Sequence, residues 1–491
     1  MHNHIIGRRL EQKILKQMFS SNQAEFLAIW GRRRIGKTYL IRKASYDSKE
    51  IFFDITGTKN GPLKEQIKHF TQRIGSVFYQ DANLTPGQNW DEAFAMLTKA
   101  LQTVPNNRKI IIFMDEFPWM ATKNSRILQV LDYYWNQFWS QDVRIKLIIC
   151  GSSASWIIEK IVNSKGGLHN RLTKTMMLQP FGLSETQQFL VNNGIKLTHK
   201  QICELYMCVG GVPYYLSKIE KGLTATQNIE QLAFSSTGFL LNEFKNLFSA
   251  LFDAPEDYIE ILRIISKHRY GIGQETLLKK MGKTLQGKTG LRKLDFLKDA
   301  SFILSFKPHL HRKKGIFYKI IDEYTLFYFH WIEPFIHTVN HQGIVQGYWS
   351  ALHQTPAWYN WAGLAFEAIC YKHIPQINKA LHLSPTALAT SWRYIPTQQS
   401  QEQGAQIDLL FDRIDDAITI CEIKYTDKPF SIDKAYAEKL TTRLNIFKAK
   451  IKTNKQIFLS FISANGLKKN LYSEELVDSL VTIEDLFKNI N

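Results

Sequence analysis

Gly31-Arg32-Arg33-Arg34-Ile35-Gly36-Lys37-Thr38 has the residue types and spacing to cradle a polyphosphate. Two glycines with four residues between them let the backbone turn so that successive N–H groups point inward at phosphate oxygens. Lys37 is placed to reach the β- and γ-phosphates, and the Thr38 hydroxyl to ligate Mg²⁺. The positive end of a following helix, opened by Tyr39, adds to the attraction. The expected ligands are ATP and Mg²⁺.

A second stretch, Gly282-Lys283-Thr284-Leu285-Gln286-Gly287-Lys288-Thr289, satisfies the same pattern. Context separates the two. The first copy follows an apolar, strand-like run, Glu25 to Trp30, and precedes a helix-compatible one, Tyr39 to Ala44. The second follows a segment with Leu277, Leu278 and Met281 on one helical face and no buried strand. It reads as a basic loop between helices.

Further along, the apolar run ending at Met114 delivers Asp115 and Glu116. Adjacent acids at the C-terminal end of a buried strand suit separate tasks: Asp115 holding the metal shell, Glu116 polarising an attacking water. Lys146–Cys150 is the next strand, and Ser152 or Ser153 after it could sense a γ-phosphate. Arg171, before a fifth strand at Lys174–Leu178, could stabilise phosphate charge within one chain or across a subunit boundary of a homo-oligomer.

Near the C-terminus, Asp408 lies on a strand at Ala405–Phe411, a turn follows at 412–416, and Glu422 and Lys424 sit on a second strand at Ala417–Lys424. Residues two apart on a strand share a face, so Glu422 and Lys424 project together beside Asp408. Two carboxylates plus water suit Mg²⁺, and the lysine can orient an attacking water. Glu367, on a preceding helix among apolar neighbours, is a supporting acid.

These groups need elements to position them. Residues 1–185 alternate strands (Phe26–Trp30, Glu50–Asp54, Lys109–Met114, Lys146–Cys150, Lys174–Leu178) with helices, which predicts a mostly parallel sheet of the P-loop kind. Residues 186–252 read as a helical lid interrupted by Gly210-Gly211-Val212-Pro213, and 253–325 as three helices and a β-hairpin, a winged helix. A helical linker over 326–356 leads to a second α/β domain at 357–491. The third helix of the middle domain presents Lys288, Arg292, Lys293 and Lys298, and its wing Arg312, Lys313 and Lys314, the elements such folds lay on DNA.

The net charge of +18 points to a polyanionic partner. From Ser266 to Ile320 fourteen Lys and Arg face three acids, a net of +11. No apolar run reaches the ~20 residues of a membrane span, and the N-terminus lacks a secretory apolar core, so a cytoplasmic protein is expected. Five cysteines without metal-ligand spacing read as reduced core thiols; His309 and His311 sit beside Arg312, Lys313 and Lys314, which repel a metal.

In order, Gly31–Thr38, Asp115-Glu116-Phe117, Cys150-Gly151-Ser152-Ser153, Asn170-Arg171, Gln179-Pro180-Phe181 and Gly210–Pro213 resemble the archaeal-type ATPase family. That family belongs to the signal-transduction ATPases with numerous domains (STAND). Members resembling this chain carry a winged helix and a C-terminal, restriction-endonuclease-like domain of the PD-(D/E)xK kind. The resemblance implies that Pro213 approaches the adenine and that Arg171 lies near the phosphates. The segment after the acids is varied here as Phe117-Pro118-Trp119. The expectation is a DNA-associated ATPase whose nucleotide state controls a metal-dependent nuclease. The alternative is a nucleotide switch that uses its C-terminal fold for binding without cleavage.

Overall fold

The computed structural model describes residues 4–122, 124–163, 168–252, 254–307, 315–342, 347–353, 355–394, 396 and 403–490. The chain divides into two compact units, Met1–Pro180 and Phe181–Asn491.

The first unit is built on five strands: β1 (Glu25–Trp30), β2 (Ile51–Thr56), β3 (Ile110–Asp115), β4 (Ile145–Gly151) and β5 (Lys174–Met177). They pair in parallel in the order β2-β3-β4-β1-β5. Strands β1, β3 and β4 are buried throughout, because helices cover both faces of the sheet. Alternate residues feed two separate cores: Phe26, Ile112 and Leu147 on one side, Leu27, Ile111 and Ile148 on the other. In this order β4 lies between the strand that ends in the glycine-rich loop and the strand that ends in the acids. Both therefore deliver their chemistry to the same edge of the sheet.

The second unit begins with helices Leu183–Asn192, His199–Val209, Pro213–Leu216, Ala225–Ala233 and Phe239–Leu251. Helices Pro255–Ser266, Gln274–Lys280 and Lys288–Asp299 follow, with three short strands, β6 (Ile272–Gly273), β7 (Ile303–Phe306) and β8 (Phe317–Ile320), ordered β6-β8-β7. The expected hairpin is present, and β6 adds a third strand too short to show as a period in the sequence. The segment His309 to Lys314, including the expected wing residues, lies outside the described residues.

Last come the helix Pro356–Lys372, strands β9 (Leu388–Tyr394), β10 (Ala405–Asp412) and β11 (Ala417–Lys424), the helix Lys434–Ile451, then β12 (Gln456–Ser463) and β13 (Ser479–Thr482). The sheet order is β13-β12-β11-β10-β9. β9, β10 and β11 are antiparallel, whereas β12 and β13 run parallel to β11. The helix Lys434–Ile451 is the crossover a parallel β11–β12 pair requires. Alternation again divides the strands: Cys421 and Ile423 join the large core shared with the helices, and Ile418 and Ile420 face Leu440 and Phe447 of the crossover helix. All five cysteines are free and buried. No helix among the described residues is long and apolar enough to cross a membrane.

Candidate functional site

The glycine-rich loop leaves β1 with Gly31 at φ 148° and enters the helix Lys37–Ser48 through Gly36 at φ 90°. Gly31 is also sterically required, since a Cβ there would stand 2.3 Å from the Leu178 carbonyl oxygen and 2.6 Å from Ile35 Cδ1. Arg34 adopts the left-handed region at φ 72°, and Ile35 is buried beneath the loop. Arg32 is buried, Arg33 and Arg34 are half-buried, and Tyr39 is exposed at the start of the helix. Lys37 is buried with its Nζ donating to the carbonyls of Gly31 (2.8 Å) and Arg32 (3.0 Å), so its charge lies within the loop.

The acids meet this loop. The Thr38 hydroxyl donates to Asp115 Oδ2 at 2.7 Å, over the end of the intervening β4. Glu116 caps the short helix Phe117–Met120 in the left-handed region, φ 47° and ψ 45°. A non-glycine residue held there is strained unless its surroundings fix it. They do: Ser152 donates to Glu116 Oε2 through its backbone N (3.0 Å) and its hydroxyl (2.9 Å). From the other side Gly57 donates to the Asp115 carbonyl (2.9 Å), and a Cβ on Gly57 would lie 2.6 Å from the Glu116 carbonyl oxygen. Cys150 beneath the acids is a buried thiol pushed well up by burial and by Asp115.

The loop, Thr38, Asp115, Glu116 and Ser152 are thus brought together. The backbone cradle, the ammonium and the hydroxyl–carboxylate pair fit a nucleotide polyphosphate and its divalent cation. Of the other expected residues, Arg171 is exposed in the turn His169–Arg171 before β5. Pro213 opens the helix Pro213–Leu216 in the second unit. Next to it, Gly211 has no room for a side chain, because a Cβ would stand 1.8 Å from the Phe181 carbonyl oxygen. The second glycine-lysine pattern, Gly282–Thr289, holds a single 3-10 turn, Lys283–Leu285, between two helices and follows no strand.

Residues 6–219 match the model of an ATPase domain predominantly from Archaea. This stretch of the chain is similar to that family's ATPase domain. Such a domain implies nucleotide binding, and its matched span includes the loop, both acids and the Gly210–Pro213 turn. An uncharacterized protein of Methanocaldococcus jannaschii is 26% identical over 449 residues, 88% of this chain and 90% of that one. Among solved structures, a Walker-type ATPase of Pyrococcus abyssi is 18% identical, with a TM-score of 0.47 over 66% of this chain and 96% of its own. The ORC2 protein of Aeropyrum pernix, in ADPNP–ADP complexes, is 15% identical, with a TM-score of 0.43 over 69% and 97%.

A second group of charges gathers outside the ATPase domain, around the C-terminal sheet. Beyond the Leu409–Cys421 pair, Asp408 and Glu422 follow on neighbouring strands. Glu422 is buried and accepts from Lys424 Nζ (2.8 Å), Tyr436 Oη (2.5 Å) and Arg443 Nη1 (2.5 Å). Burial works against its charge, yet Lys424 and Arg443 outweigh it and hold the carboxyl below its ordinary range. Asp408 accepts from Gln406 Nε2 at 2.7 Å and is pushed up by burial and by Glu422.

Glu367, the expected supporting acid, pairs with Arg269 Nη2 at 3.1 Å. Burial first, then Asp408, lift it to about 7. Lys319, on β8, is drawn down to about 8 by burial, against the pull of Glu367 and Asp408. Among the described residues no three His, Cys, Asp or Glu side chains are gathered closely enough to hold a metal.

Sequence reasoning missed Gln406, Tyr436, Arg443, Arg269 and Lys319. Only Gln406, two residues before Asp408 on one strand face, left a local signal. On the third middle-domain helix, Lys288, Arg292 and Lys298 are exposed as expected. Lys293 is not presented outward: it pairs with Asp257 at 3.0 Å and lies over the Tyr258 ring, with its side chain 14% exposed.

Proposed function

We propose that the chain binds and hydrolyses ATP and associates with DNA, and that its nucleotide state governs a nuclease-like C-terminal domain. The hydrogen bond from Thr38 to Asp115 carries the ATPase reading, because it joins the phosphate loop to the acid strand inside a matched ATPase domain. Gly31, Gly36 and the intervening amides hold the polyphosphate, and Lys37 neutralises it. Thr38 and Asp115 would hold Mg²⁺, which supplies charge neutralisation at the transferring phosphoryl group. Glu116 orients and polarises the attacking water, and release from Ser152 gives its carboxylate freedom to do so. Arg171 is the candidate for stabilising charge on the departing phosphate.

For DNA, support comes from the three helices and β6–β8, an arrangement of winged-helix type, with Lys288, Arg292 and Lys298 outward on the third helix. For the C-terminal domain, support comes from the order helix, three antiparallel strands, crossover helix, parallel strand, with Glu367, Asp408, Glu422 and Lys424 around its first strands. Asp408 and Glu422 would hold a divalent cation, which supplies a hydroxide and neutralises the phosphodiester. Lys424 orients the water.

The switch reading has its own support: Glu422 and Glu367 are already compensated by Lys424, Arg443 and Arg269. The deciding experiment is ATP hydrolysis and plasmid nicking by the purified chain with Mg²⁺ or Mn²⁺, beside Glu116→Gln and Asp408→Ala. Nicking that needs Asp408 establishes the nuclease; ATP turnover that needs Glu116 without nicking under any condition hands the chain to the switch.

A further inference from the structure

On the first unit, a groove opens beside β2, the edge strand of its sheet. The helix Lys37–Ser48 turns Arg42 and Tyr46 towards it, one turn apart, and Lys49 follows on the same side. β2 contributes Phe52 and Asp54, which share a strand face, and the helix Leu63–Phe78 contributes Arg73. The groove they frame has a volume of about 770 Å³, within the range of small-ligand sites.

Its cations are held in place and outnumber its acids. Asp54 lies between two arginines, with Arg42 Nη2 3.0 Å from Oδ2 and Arg73 Nη2 2.6 Å from Oδ1. One carboxylate cannot neutralise two guanidiniums, but it fixes both planar groups before any ligand arrives, which lowers the ordering cost of binding. Lys49 is exposed, and the neighbouring Glu50 is matched by Arg108 at 3.6 Å. Arg42, Lys49, Arg73 and Arg108 thus stand against Asp54 and Glu50, an excess that invites an anion.

Flat apolar surfaces stand among these charges. Tyr46 is 75% exposed, although Lys43 lies 4.9 Å from its ring centre, and half-buried Phe52 is stacked on Phe113. A single exposed tyrosine needs no explanation. An exposed tyrosine beside fixed arginines offers a stacking face and phosphate donors within one groove, the two things an unpaired nucleotide uses. A duplex hides its base faces and has no use for the ring. Arg73 Nε also donates to the Asp54 carbonyl at 3.2 Å, which occupies the free edge of β2 there and disfavours a peptide added as an extra strand. We propose that this groove binds single-stranded nucleic acid, with a base against Tyr46 and the adjoining phosphates on Arg42, Lys49 and Arg73. None of these residues belongs to the phosphate loop or the acid pair, and the proposal stands whether or not the middle domain binds duplex DNA.

Fluorescence anisotropy with a short labelled oligodeoxythymidylate tests this on the full chain. Lys288→Ala and Arg292→Ala are present throughout, so that the third middle-domain helix does not mask the groove. To this background are added Tyr46→Ala, Tyr46→Phe, Arg42→Gln and Lys49→Gln, and unchanged ATP affinity verifies that each variant is folded. Tyr46→Ala should weaken oligonucleotide binding about ten-fold, and Tyr46→Phe should restore it. Arg42→Gln and Lys49→Gln should each reduce the slope of log affinity against log salt by about 0.7. Full binding by Tyr46→Ala, or a salt slope unmoved by both charge variants, overturns the proposal. Thymidine monophosphate displacing the oligomer as well, nucleotide for nucleotide, overturns the single strand in favour of a free nucleotide. Displacement by polyglutamate that is indifferent to Tyr46 overturns it in favour of an acidic protein.

Discussion

His373 is expected to make the second unit acid-sensitive over a defined window. The ring is buried between the end of the helix Pro356–Lys372 and the start of Leu183–Asn192. Its Nε2 accepts the Leu183 backbone N–H at 3.1 Å, and its Nδ1 lies 2.8 Å from the Ile369 carbonyl, to which it donates. Both roles are taken, so the neutral tautomer is specified and a proton on Nε2 would face an N–H donor. Burial draws the pKa from 6.5 down to about 4, with Lys372 adding to the effect against the Ile369 hydrogen bond. A histidine depressed in the folded state binds its proton more readily when unfolded. Its contribution to stability is therefore complete above about pH 6.5 and lost as pH falls towards 4. At pH 4.5 the loss is on the order of 2 kcal/mol, some tens of fold in the opening equilibrium. Hydrogen–deuterium exchange of peptides covering 181–192 and 368–380, corrected for intrinsic rates, reads that equilibrium. His373→Gln keeps one donor and one acceptor but cannot titrate. The wild-type protein should lose protection between pH 7 and 4.5 in excess of the variant by roughly that factor. Equal losses in the two proteins would refute the assignment.

Four further outcomes are expected. Lys37→Ala should weaken ATP binding by roughly 100-fold in calorimetry, whereas Lys288→Ala in the second glycine-lysine stretch should leave it unchanged. Glu116→Gln should bind ATP normally and turn over about a thousand-fold more slowly in a phosphate-release assay. Gly31→Ala should abolish ATP binding and lower the stability of the first unit by about 2 kcal/mol or more in a denaturant melt, because its Cβ would stand 2.3 Å from the Leu178 oxygen. Lys288→Ala and Arg292→Ala should each reduce the salt dependence of duplex DNA binding by about one counterion. Lys293→Ala should change it less and instead cost stability, since it is engaged with Asp257.

Much of the first unit was legible because its signals are local. Each of the five strands is a short apolar run, and all five lie within one or two residues of their expected limits. The loop and the acid pair announce themselves by spacing. Their meeting does not: Thr38 and Asp115 are 77 residues apart and come together only through the strand order. At the C-terminal sheet, the alternation of β10 and β11 exposed Asp408, Glu422 and Lys424, but not what surrounds them. Arg443 reaches Glu422 from a helix whose sequence shows only a basic character. Arg269 reaches Glu367 across 98 residues. Lys293 was misjudged because a lysine one turn along an exposed face looks the same whether or not an acid waits beside it.

The large core of the second unit also bears on how such a chain can be rearranged by descent. One apolar cluster takes in Tyr206 and Cys208, Tyr324 and Trp349, Ala365 and Ile369, and Ile423 and Ile462 of the C-terminal sheet. Tyr425, one residue beyond Lys424, donates to the buried Glu204, and Lys200 pairs with Asp427. A gene break anywhere between 209 and 356 would leave a raw hydrophobic face on each product and strand Glu204 without its partner. The C-terminal sheet is thus not a cassette that recombination can add to or strip from a helical regulator. Residues 181–491 are built to fold, or to fail, as one block.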